Sequence, residues 1–208
     1  WAIEGAQLLL EAGKQLVKSE QQKSKIEKLL NARDPDSELR RLAKLSDGEI
    51  ISNCNPTVKS CYEAAFAFAA ESSMRFNPRW RGHGTLDLGA IAKGFAVDSA
   101  AADAAKLTDG DILIDLGGNL KAVRGDWKTS IAGTGEIFTL HEGTACATSA
   151  EYYRGRHIRD GRTGRHISAG GVLSATAVSS SAMWADAAST LAFITGPDQC
   201  AEIITRRI

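Results

Sequence analysis

Two oxygen-bearing side chains, Asp186 and Thr190, have the spacing expected of two ligands to a small, hard cation. They lie in the run Ala185-Asp186-Ala187-Ala188-Ser189-Thr190, in which every neighbouring residue is small. On a helix, residues four positions apart share one face, so both oxygens would project into the same free space. Mg²⁺ binds in this way, with one or two protein oxygens together with waters and phosphates. The alternative is a carboxylate that interacts with the dipole at a helix N-terminus.

Two glycine-containing motifs could bring an anion close to the backbone. In the segment 87–94, Asp87 and a glycine precede a predicted helix, and Lys93 lies in its first turn. The free N–H groups and partial positive charge of a helix N-terminus suit a phosphate. In the segment 115–119, two glycines follow a predicted buried strand and permit either a tight turn or close approach of a ligand. Taken alone, each motif is more typical of an ordinary turn.

A candidate general base lies in the segment 157–164, which reads His-Ile-Arg-Asp-Gly-Arg-Thr-Gly. In a strand, His157 and Arg159 would point to one face and Ile158 to the other. A histidine at a strand end, flanked by charged residues, can accept a proton near neutral pH. The alternative is a surface loop with a structural histidine.

Four helices are predicted from the periodicity of apolar residues. Three of them cover residues 11–30, 91–107 and 183–195, and Gly196-Pro197 ends the last of these. Another is opened by Asn55-Pro56-Thr57 and has Val58, Cys61, Ala65 and Phe68 at helical spacing. The first ends at the breaker Asp34-Pro35-Asp36-Ser37.

Short strands are predicted in the second half of the chain, where glycine and β-branched residues dominate as far as Val178. The predicted ranges are 112–116, 120–124 and 127–132, with Gly125-Asp126 between the last two. Helices clustered around a mostly antiparallel sheet indicate an α+β fold with flanking helices.

The bulk composition narrows the classes of partner. Lys+Arg and Asp+Glu both number 25, so the formal net charge is zero, and no basic run with interleaved aromatics suggests a nucleic-acid partner. No apolar stretch is long enough for a transmembrane segment. The sequence begins at Trp1 without the pattern of a signal peptide. The four cysteines are widely spaced, so we expect free buried thiols.

The four motifs, taken in order, resemble those of the ApbE family of FAD-dependent protein flavinyltransferases. The motifs are Asp-Leu-Gly-Ala-Ile-Ala-Lys-Gly, Asp-Leu-Gly-Gly-Asn, His-Ile-x-Asp-x-Arg-Thr-Gly and Ala-Asp-x-x-x-Thr. The resemblance is specific over residues 85–196, and Pro35-Asp36-Ser37-Glu38-Leu39 extends it weakly towards the N-terminus. It implies a single ApbE-like domain over residues 1–208, with a divergent N-terminal half.

The resemblance implies Mg²⁺-dependent transfer of FMN from FAD to a threonine or serine of an acceptor protein, such as a subunit of a redox complex, with release of AMP. It implies Asp186, Thr190 and the Ala90 carbonyl as Mg²⁺ ligands. Asp87, Lys93 and Arg159 are implied as FAD contacts and His157 as the catalytic histidine. Bacterial members are often periplasmic lipoproteins, so a periplasmic or membrane-anchored location is implied as well.

The sequence departs from the family pattern mainly in its N-terminal half. Gly5-Ala6 replaces a usual Gly-Thr, Arg33 replaces an aromatic residue and Ala43 replaces an asparagine. Ser72–Pro78 replaces Thr-Asp-Gly-x-Phe-Asp-Pro. Further along the chain, Ser149–Tyr152 replaces Ser-Gly-Asp-Tyr and Gly161 replaces a proline. By the resemblance, the altered positions are expected around the adenine and flavin, where Arg33 or Arg75 is a candidate substitute contact. Two other functions therefore stay open: a FAD diphosphatase and a non-catalytic flavin-binding protein.

Overall fold

The computed structural model describes residues 7–10, 15–18, 28–131, 136–151, 155–167 and 174–196. The helices are α1 (Glu38–Leu42), α2 (Asp47–Asn53), α3 (Pro56–Glu71), α4 (Ala92–Ala104) and α5 (Ala182–Thr195). The strands are β1 (Gln7–Leu10), β2 (Gln15–Lys18), β3 (Ile112–Asp115), β4 (Asn119–Arg124), β5 (Trp127–Ser130), β6 (Ile137–Leu140), β7 (Ala145–Ala150) and β8 (Ser174–Ser179).

One antiparallel sheet carries the fold. Its strand order is β2-β1-β3-β4-β7-β8, and every pairing among these described strands is antiparallel. β5 and β6 form a separate two-stranded sheet, with Trp127 opposite Leu140. The helices α4 and α5 pack against each other and against the large sheet. The expected α+β class with a mostly antiparallel sheet is therefore confirmed.

The helices that position the site begin where local sequence signals place them. Asn55 caps α3, because its Oδ1 accepts a hydrogen bond from the Thr57 N–H at 2.9 Å, and Pro56 follows as the first helical residue. The apolar positions predicted for this helix, Val58, Cys61, Ala65 and Phe68, are all buried. At the other end of the chain, Ser181 caps α5 and Gly196 ends it with φ 88°.

The helix predicted over residues 11–30 is wrong. Gln15–Lys18 is the strand β2, which pairs with β1 in antiparallel register, and within the described residues of that range only 28–30 are helical. The tetrapeptide Gln-Leu-Val-Lys is short and contains a β-branched residue, so it also suits a strand. Its pairing with β1, which itself pairs with β3, outweighs the weak helical periodicity.

The strand expected around His157 is also wrong. In this segment the structure has one isolated bridge, between Arg159 and His166. The Asp160 Oδ1 accepts from the Arg162 N–H at 2.8 Å, and the Gly164 N–H donates to the Asp160 carbonyl at 2.8 Å. These turn-forming bonds fold the segment back on itself and take the place of a strand ladder.

Two further expectations concern membranes and thiols. None of the helices in the described ranges has the length and apolar character needed to cross a membrane. Cys54, Cys61 and Cys146 are free thiols, and the last two are buried. Burial raises the pKa of Cys61 to about 12 and that of Cys146 to about 11. Cys200, Tyr152, Pro197 and the Gly5-Ala6 pair lie outside the described residues.

Candidate functional site

Asp186, in the second turn of α5, is a buried carboxylate on which two of the other motifs converge. It is 3% exposed. Its Oδ2 accepts a hydrogen bond from the Gly94 N–H at 3.0 Å, and its Oδ1 lies 3.8 Å from the Lys93 Nζ. Asn119, with its amide oriented as these neighbours require, donates to Asp186 Oδ1 at 3.2 Å and accepts from Lys93 Nζ at 2.8 Å. The structure thus joins the segments 87–94 and 115–119 at α5.

The electrostatics of Asp186 are dominated by its removal from water. Desolvation raises the pKa of this carboxyl above its ordinary value, while the Lys93 ammonium and the Gly94 N–H act in the opposite direction. Because the pKa of Asp186 is raised overall, Lys93 and Gly94 stabilise the ionised carboxylate less than water would. A buried carboxyl whose pKa is shifted by desolvation beside a specific cationic partner is a candidate functional residue.

Gly94 is required by the close approach of α4 to α5. A Cβ at this position would lie 2.1 Å from the Ala182 carbonyl oxygen and 2.6 Å from the Met183 Cα. No side chain fits at such distances, so any larger residue would separate the two helices. The glycine of the first motif therefore serves helix packing, and that packing brings the Gly94 N–H to Asp186.

Asp98, one turn further along α4, fixes the start of α5. Its carboxylate accepts hydrogen bonds from the Ser181 hydroxyl at 2.7 Å and from the N–H groups of Ala182 and Met183, both at 3.0 Å. Lys121 Nζ also contacts it, at 2.8 Å. A carboxylate at a helix N-terminus satisfies free donors and favours the helix dipole. Asp98 thereby sets the position of the helix that carries Asp186.

Thr190 belongs to a cluster of hydroxyl groups between α5 and β7. The Ser149 Oγ lies 3.0 Å from the Thr190 Oγ1 and 2.8 Å from the Ser189 Oγ. The Ser189 hydroxyl donates to the Asp186 carbonyl at 2.9 Å. Thr190 therefore lies on the same helix face as Asp186, one turn along, with an oxygen-rich surrounding.

Asp87 and Ala90 lie in the turn that leads into α4. The Asp87 Oδ1 accepts from the Gly89 N–H at 2.9 Å, and the Asp87 N–H donates to the Pro78 carbonyl at 2.8 Å. In a continuous helix the Gly94 N–H would bond to the carbonyl four residues earlier, which is that of Ala90. Since Gly94 donates to Asp186 instead, the Ala90 carbonyl is not committed to that helical bond.

His157 is exposed, and its environment fixes its tautomer. The Nδ1 lies 2.8 Å from the Gly155 carbonyl oxygen. A carbonyl only accepts hydrogen bonds, so Nδ1 carries a hydrogen, and in the neutral imidazole the lone pair is then on Nε2. His157 is thus arranged as a proton acceptor through Nε2. No hydrogen bond or ion pair joins it directly to Asp186, Lys93 or Thr190 within the part of the chain that the structure describes.

Arg159 stacks on a tryptophan that the sequence motifs did not single out. Its guanidinium lies 5.0 Å from the Trp80 ring centroid, and Arg81 lies 4.5 Å from the same ring. Arg159 also donates to the Gly164 carbonyl at 2.8 Å. A cation held over an aromatic face in this way is attracted by the ring quadrupole and is kept at a defined place, two residues after His157.

A chain of contacts connects the His157 loop to the rest of the site. The Gly161 N–H donates to the Arg75 carbonyl at 2.8 Å, and the Asn77 side chain donates to the Gly161 carbonyl at 3.0 Å. Pro78 next to it accepts from Asp87. On the other side, Ile158 packs with Phe193 and Ile194, the residues that follow Thr190 on α5. The first three motifs therefore lie around α5, which carries the fourth.

Three residues of the site were missed by sequence reasoning: Asp98, Trp80 and Ser149 in its role beside Thr190. Asp98 follows the first motif in the run Lys-Gly-Phe-Ala-Val-Asp, but the same helix also carries Asp103, so its place in the sequence gave no signal of its role. Arg75, a candidate substitute contact to the nucleotide, lies 4.0 Å from the Asp160 carboxylate. Arg33 is exposed, and its N–H donates to the Asn31 side chain.

No three His, Cys, Asp or Glu side chains within the described ranges are arranged to hold a metal ion. The candidate set has a different composition: one carboxylate, one hydroxyl and one backbone carbonyl, all oxygen donors. Such a set matches a cation that retains waters or takes oxygens from a ligand.

Comparison with known proteins places the chain in a family. The family model described as "ApbE family" matches residues 79–208. The fold is similar to that of Pseudomonas stutzeri flavinyl transferase ApbE (TM-score 0.73, 20% identity, covering 90% of this chain and 77% of the other). It is also similar to flavin transferase ApbE from Vibrio cholerae (TM-score 0.71, 18% identity, 88% and 79%).

A third similar structure is the ApbE protein of Thermotoga maritima, with TM-score 0.68, 21% identity, and coverage of 90% of this chain and 81% of that one. At these identities, likeness to solved structures establishes the fold. No curated protein is recognisably similar to the chain in sequence.

Proposed function

The chain belongs to the ApbE family of flavin transferases, and we propose that it transfers the FMN half of FAD to a threonine or serine hydroxyl of an acceptor protein. We propose further that Mg²⁺ is required, that AMP is the second product, and that residues 1–208 act as a single domain. The observation that carries the proposal is the convergence of Gly94, Lys93 and Asn119 on the buried Asp186.

The residues at this point fit a magnesium ion. Asp186, Thr190 and the Ala90 carbonyl would hold it, and each supplies a hard oxygen. The support is the carboxylate of Asp186, whose raised pKa reflects a charge that Lys93 and Gly94 compensate incompletely. When bound, Mg²⁺ would supply charge neutralisation to the diphosphate of FAD.

The chain's own groups would bind and orient the dinucleotide. Lys93 keeps 19% of its side chain exposed while it contacts Asn119, so its ammonium can also face a phosphate. Asp87, at the turn into α4, would contact FAD on the same side as Lys93. Arg159, whose guanidinium lies over Trp80, would also contact the dinucleotide. Positioning of this kind is the main requirement of phosphoryl-group transfer.

His157 would activate the acceptor. Its Nδ1–H is held by the Gly155 carbonyl, so the Nε2 lone pair can take the proton of the incoming hydroxyl. The hydroxyl oxygen then forms a bond to the phosphorus of the FMN half. The bond between that phosphorus and the oxygen bridging to AMP breaks, and AMP leaves with the bonding electrons.

The test is to incubate the protein with FAD, Mg²⁺ and candidate acceptor proteins, and to measure fluorescent covalent adduct and AMP. We expect adduct and AMP in equal amounts, loss of both in Asp186→Ala, and no change in Asp103→Ala, an exposed aspartate on α4. AMP without adduct would identify a FAD diphosphatase instead. Tight FAD binding without any product would identify a non-catalytic flavin-binding protein.

A further inference from the structure

Two contacting loops concentrate positive charge around His157. Residues 75–83 and 155–166 pack together through the Gly161 bonds to Arg75 and Asn77 and through Arg159 on Trp80. The carboxylate in these two segments is Asp160, whereas their arginines are Arg75, Arg79, Arg81, Arg156, Arg159, Arg162 and Arg165. Because the whole chain has zero formal net charge, these two loops carry a strong local excess of positive charge.

Some of these arginines make contacts within the protein. Arg79 donates to the carbonyls of Ala43, Thr85 and Leu45 and to Asp47. It therefore ties the loop before α2 to the loop before α4. Arg75 lies against Asp160 at 4.0 Å.

Four arginines remain exposed: Arg81, Arg156, Arg162 and Arg165. We call these four the arginine surface. Arg162 lies 3.6 Å from the Asp160 Oδ2, but 45% of its side chain is exposed, and Asp160 is itself shared with Arg75. A single buried carboxylate cannot offset this surface.

The arginine surface flanks the proposed proton acceptor. Arg156 immediately precedes the exposed His157, and Arg162 and Arg165 lie on the turn that bridges back to Arg159. An extended chain advances about 3.3 Å per residue. A segment that delivers a hydroxyl to His157 would therefore bring its adjacent residues to Arg156 and to the turn that carries Arg162 and Arg165.

We propose that the acceptor protein carries its target threonine or serine in an acidic segment, which binds the arginine surface. The proposal rests on the proposed function and specifies its partner. Guanidinium groups bind carboxylates in a bidentate manner, and complementary charge selects the partner and accelerates its association. The carboxylates of the acceptor would thus hold the hydroxyl beside His157.

The test uses two fluorescent peptides with one threonine each, flanked either by Asp and Glu or by Asn and Gln at the same positions. Binding is measured by anisotropy in the presence of FAD and Mg²⁺. We expect the wild-type protein to bind the acidic peptide about tenfold more tightly, with a difference that shrinks as salt increases.

Variants locate the effect. The triple variant Arg156→Gln, Arg162→Gln, Arg165→Gln should lose the preference, and the corresponding triple Lys variant should retain most of it. The matched control is Arg40→Gln, Arg41→Gln, Lys44→Gln, which removes the same charge from exposed positions at α1. That control should bind like the wild type.

Three outcomes would overturn the proposal: equal binding of both peptides, loss of FAD affinity in the triple Gln variant as large as its loss of peptide affinity, or stronger binding to anionic lipid vesicles than to the acidic peptide. The second would assign the surface to the nucleotide and the third to a membrane. Peptide binding needs no turnover, so failure of the transferase reaction would be distinguished from failure of this proposal.

Discussion

The Gly94 N–H donates a hydrogen bond to the Asp186 carboxylate at 3.0 Å, across 92 positions of sequence. The bond exists because the missing side chain of Gly94 lets α4 approach the Ala182 carbonyl. Helix packing and the candidate metal ligand therefore depend on the same residue. A change at Gly94 should affect stability and ion binding together.

Gly94→Ala should destabilise the protein by about 2–4 kcal/mol, since the added Cβ overlaps backbone atoms of α5 that have no flexible end to move aside. It should also abolish any rise of melting temperature on addition of Mg²⁺ and FAD. Chemical and thermal unfolding, each with and without these ligands, measure both effects.

Gly48→Ala is the matched control for this substitution. Gly48 lies in α2, and a Cβ there would meet nothing within 4 Å. Alanine favours a helix over glycine, so the change should be neutral or stabilising by up to about 1 kcal/mol. If Gly94→Ala behaves like Gly48→Ala, the close packing of α4 on α5 is not what the structure indicates.

Asp186→Asn should change how the stability of the metal-free protein depends on pH. Desolvation raises the pKa of Asp186 above 3.8, so the folded protein binds this proton more tightly than the unfolded chain does. That contribution favours folding at low pH and is lost as the pH rises from the unfolded value of 3.8 through the raised pKa of the folded carboxyl. The asparagine variant lacks it.

Unfolding in urea with EDTA, at steps from pH 4 to pH 8, tests this prediction. The stability of the wild type minus that of Asp186→Asn should fall as the pH rises, and titrations shared by both proteins cancel. A difference that grows with pH would instead mean that Lys93 and Asn119 stabilise the ionised carboxylate more than burial opposes it.

Local signals in the sequence predicted the elements that position the site. The Asn55-Pro56 start of α3, the Gly196 end of α5 and the strand over Ile112–Asp115 all depend on residues close in sequence. By contrast, the four-residue strand β2 depends on pairing with β1. The helical periodicity of its short sequence did not predict this pairing.

The site itself could be predicted only as separate motifs. The resemblance assigned roles to Asp87, Lys93, Asp186 and Thr190, but the contacts among the segments span 92 positions between Gly94 and Asp186 and 83 between Asp98 and Ser181. Such contacts depend on helix packing that no local pattern records. Asp98 and Trp80 were missed for this reason.

Asp98→Asn should loosen the N-terminus of α5. An amide presents one acceptor oxygen where the carboxylate has two, and its NH₂ group would face the donors Ser181, Ala182 and Met183. We expect a loss of about 2–3 kcal/mol and a weaker Mg²⁺-induced stabilisation. Asp103→Asn on the same helix, at an exposed ion pair with Lys106, should stay within about 0.5 kcal/mol. Equal effects from the two variants would refute the role assigned to Asp98.

Gly161→Pro tests the coupling between the two loops of the site. The family resemblance leads one to expect proline here, but in this chain the Gly161 N–H donates to the Arg75 carbonyl at 2.8 Å. A Cβ would lie 2.4 Å from the Asn77 Cβ. Proline would therefore remove the bond and displace the segment 75–78, which we expect to lower stability by about 2–4 kcal/mol.

The displaced segment also holds Asp87, through the Pro78 carbonyl. Gly161→Pro should therefore raise the Kd of FAD more than that of Mg²⁺, because two of the three proposed Mg²⁺ ligands, Asp186 and Thr190, are anchored on α5 and only Ala90 shares the turn with Asp87. Gly161→Ala separates the two causes, since it keeps the N–H donor and retains the overlap with Asn77. Calorimetric titrations of FAD and Mg²⁺ against both variants supply the measurement. Unchanged FAD affinity in Gly161→Pro would show that the contact between these loops does not shape the nucleotide site.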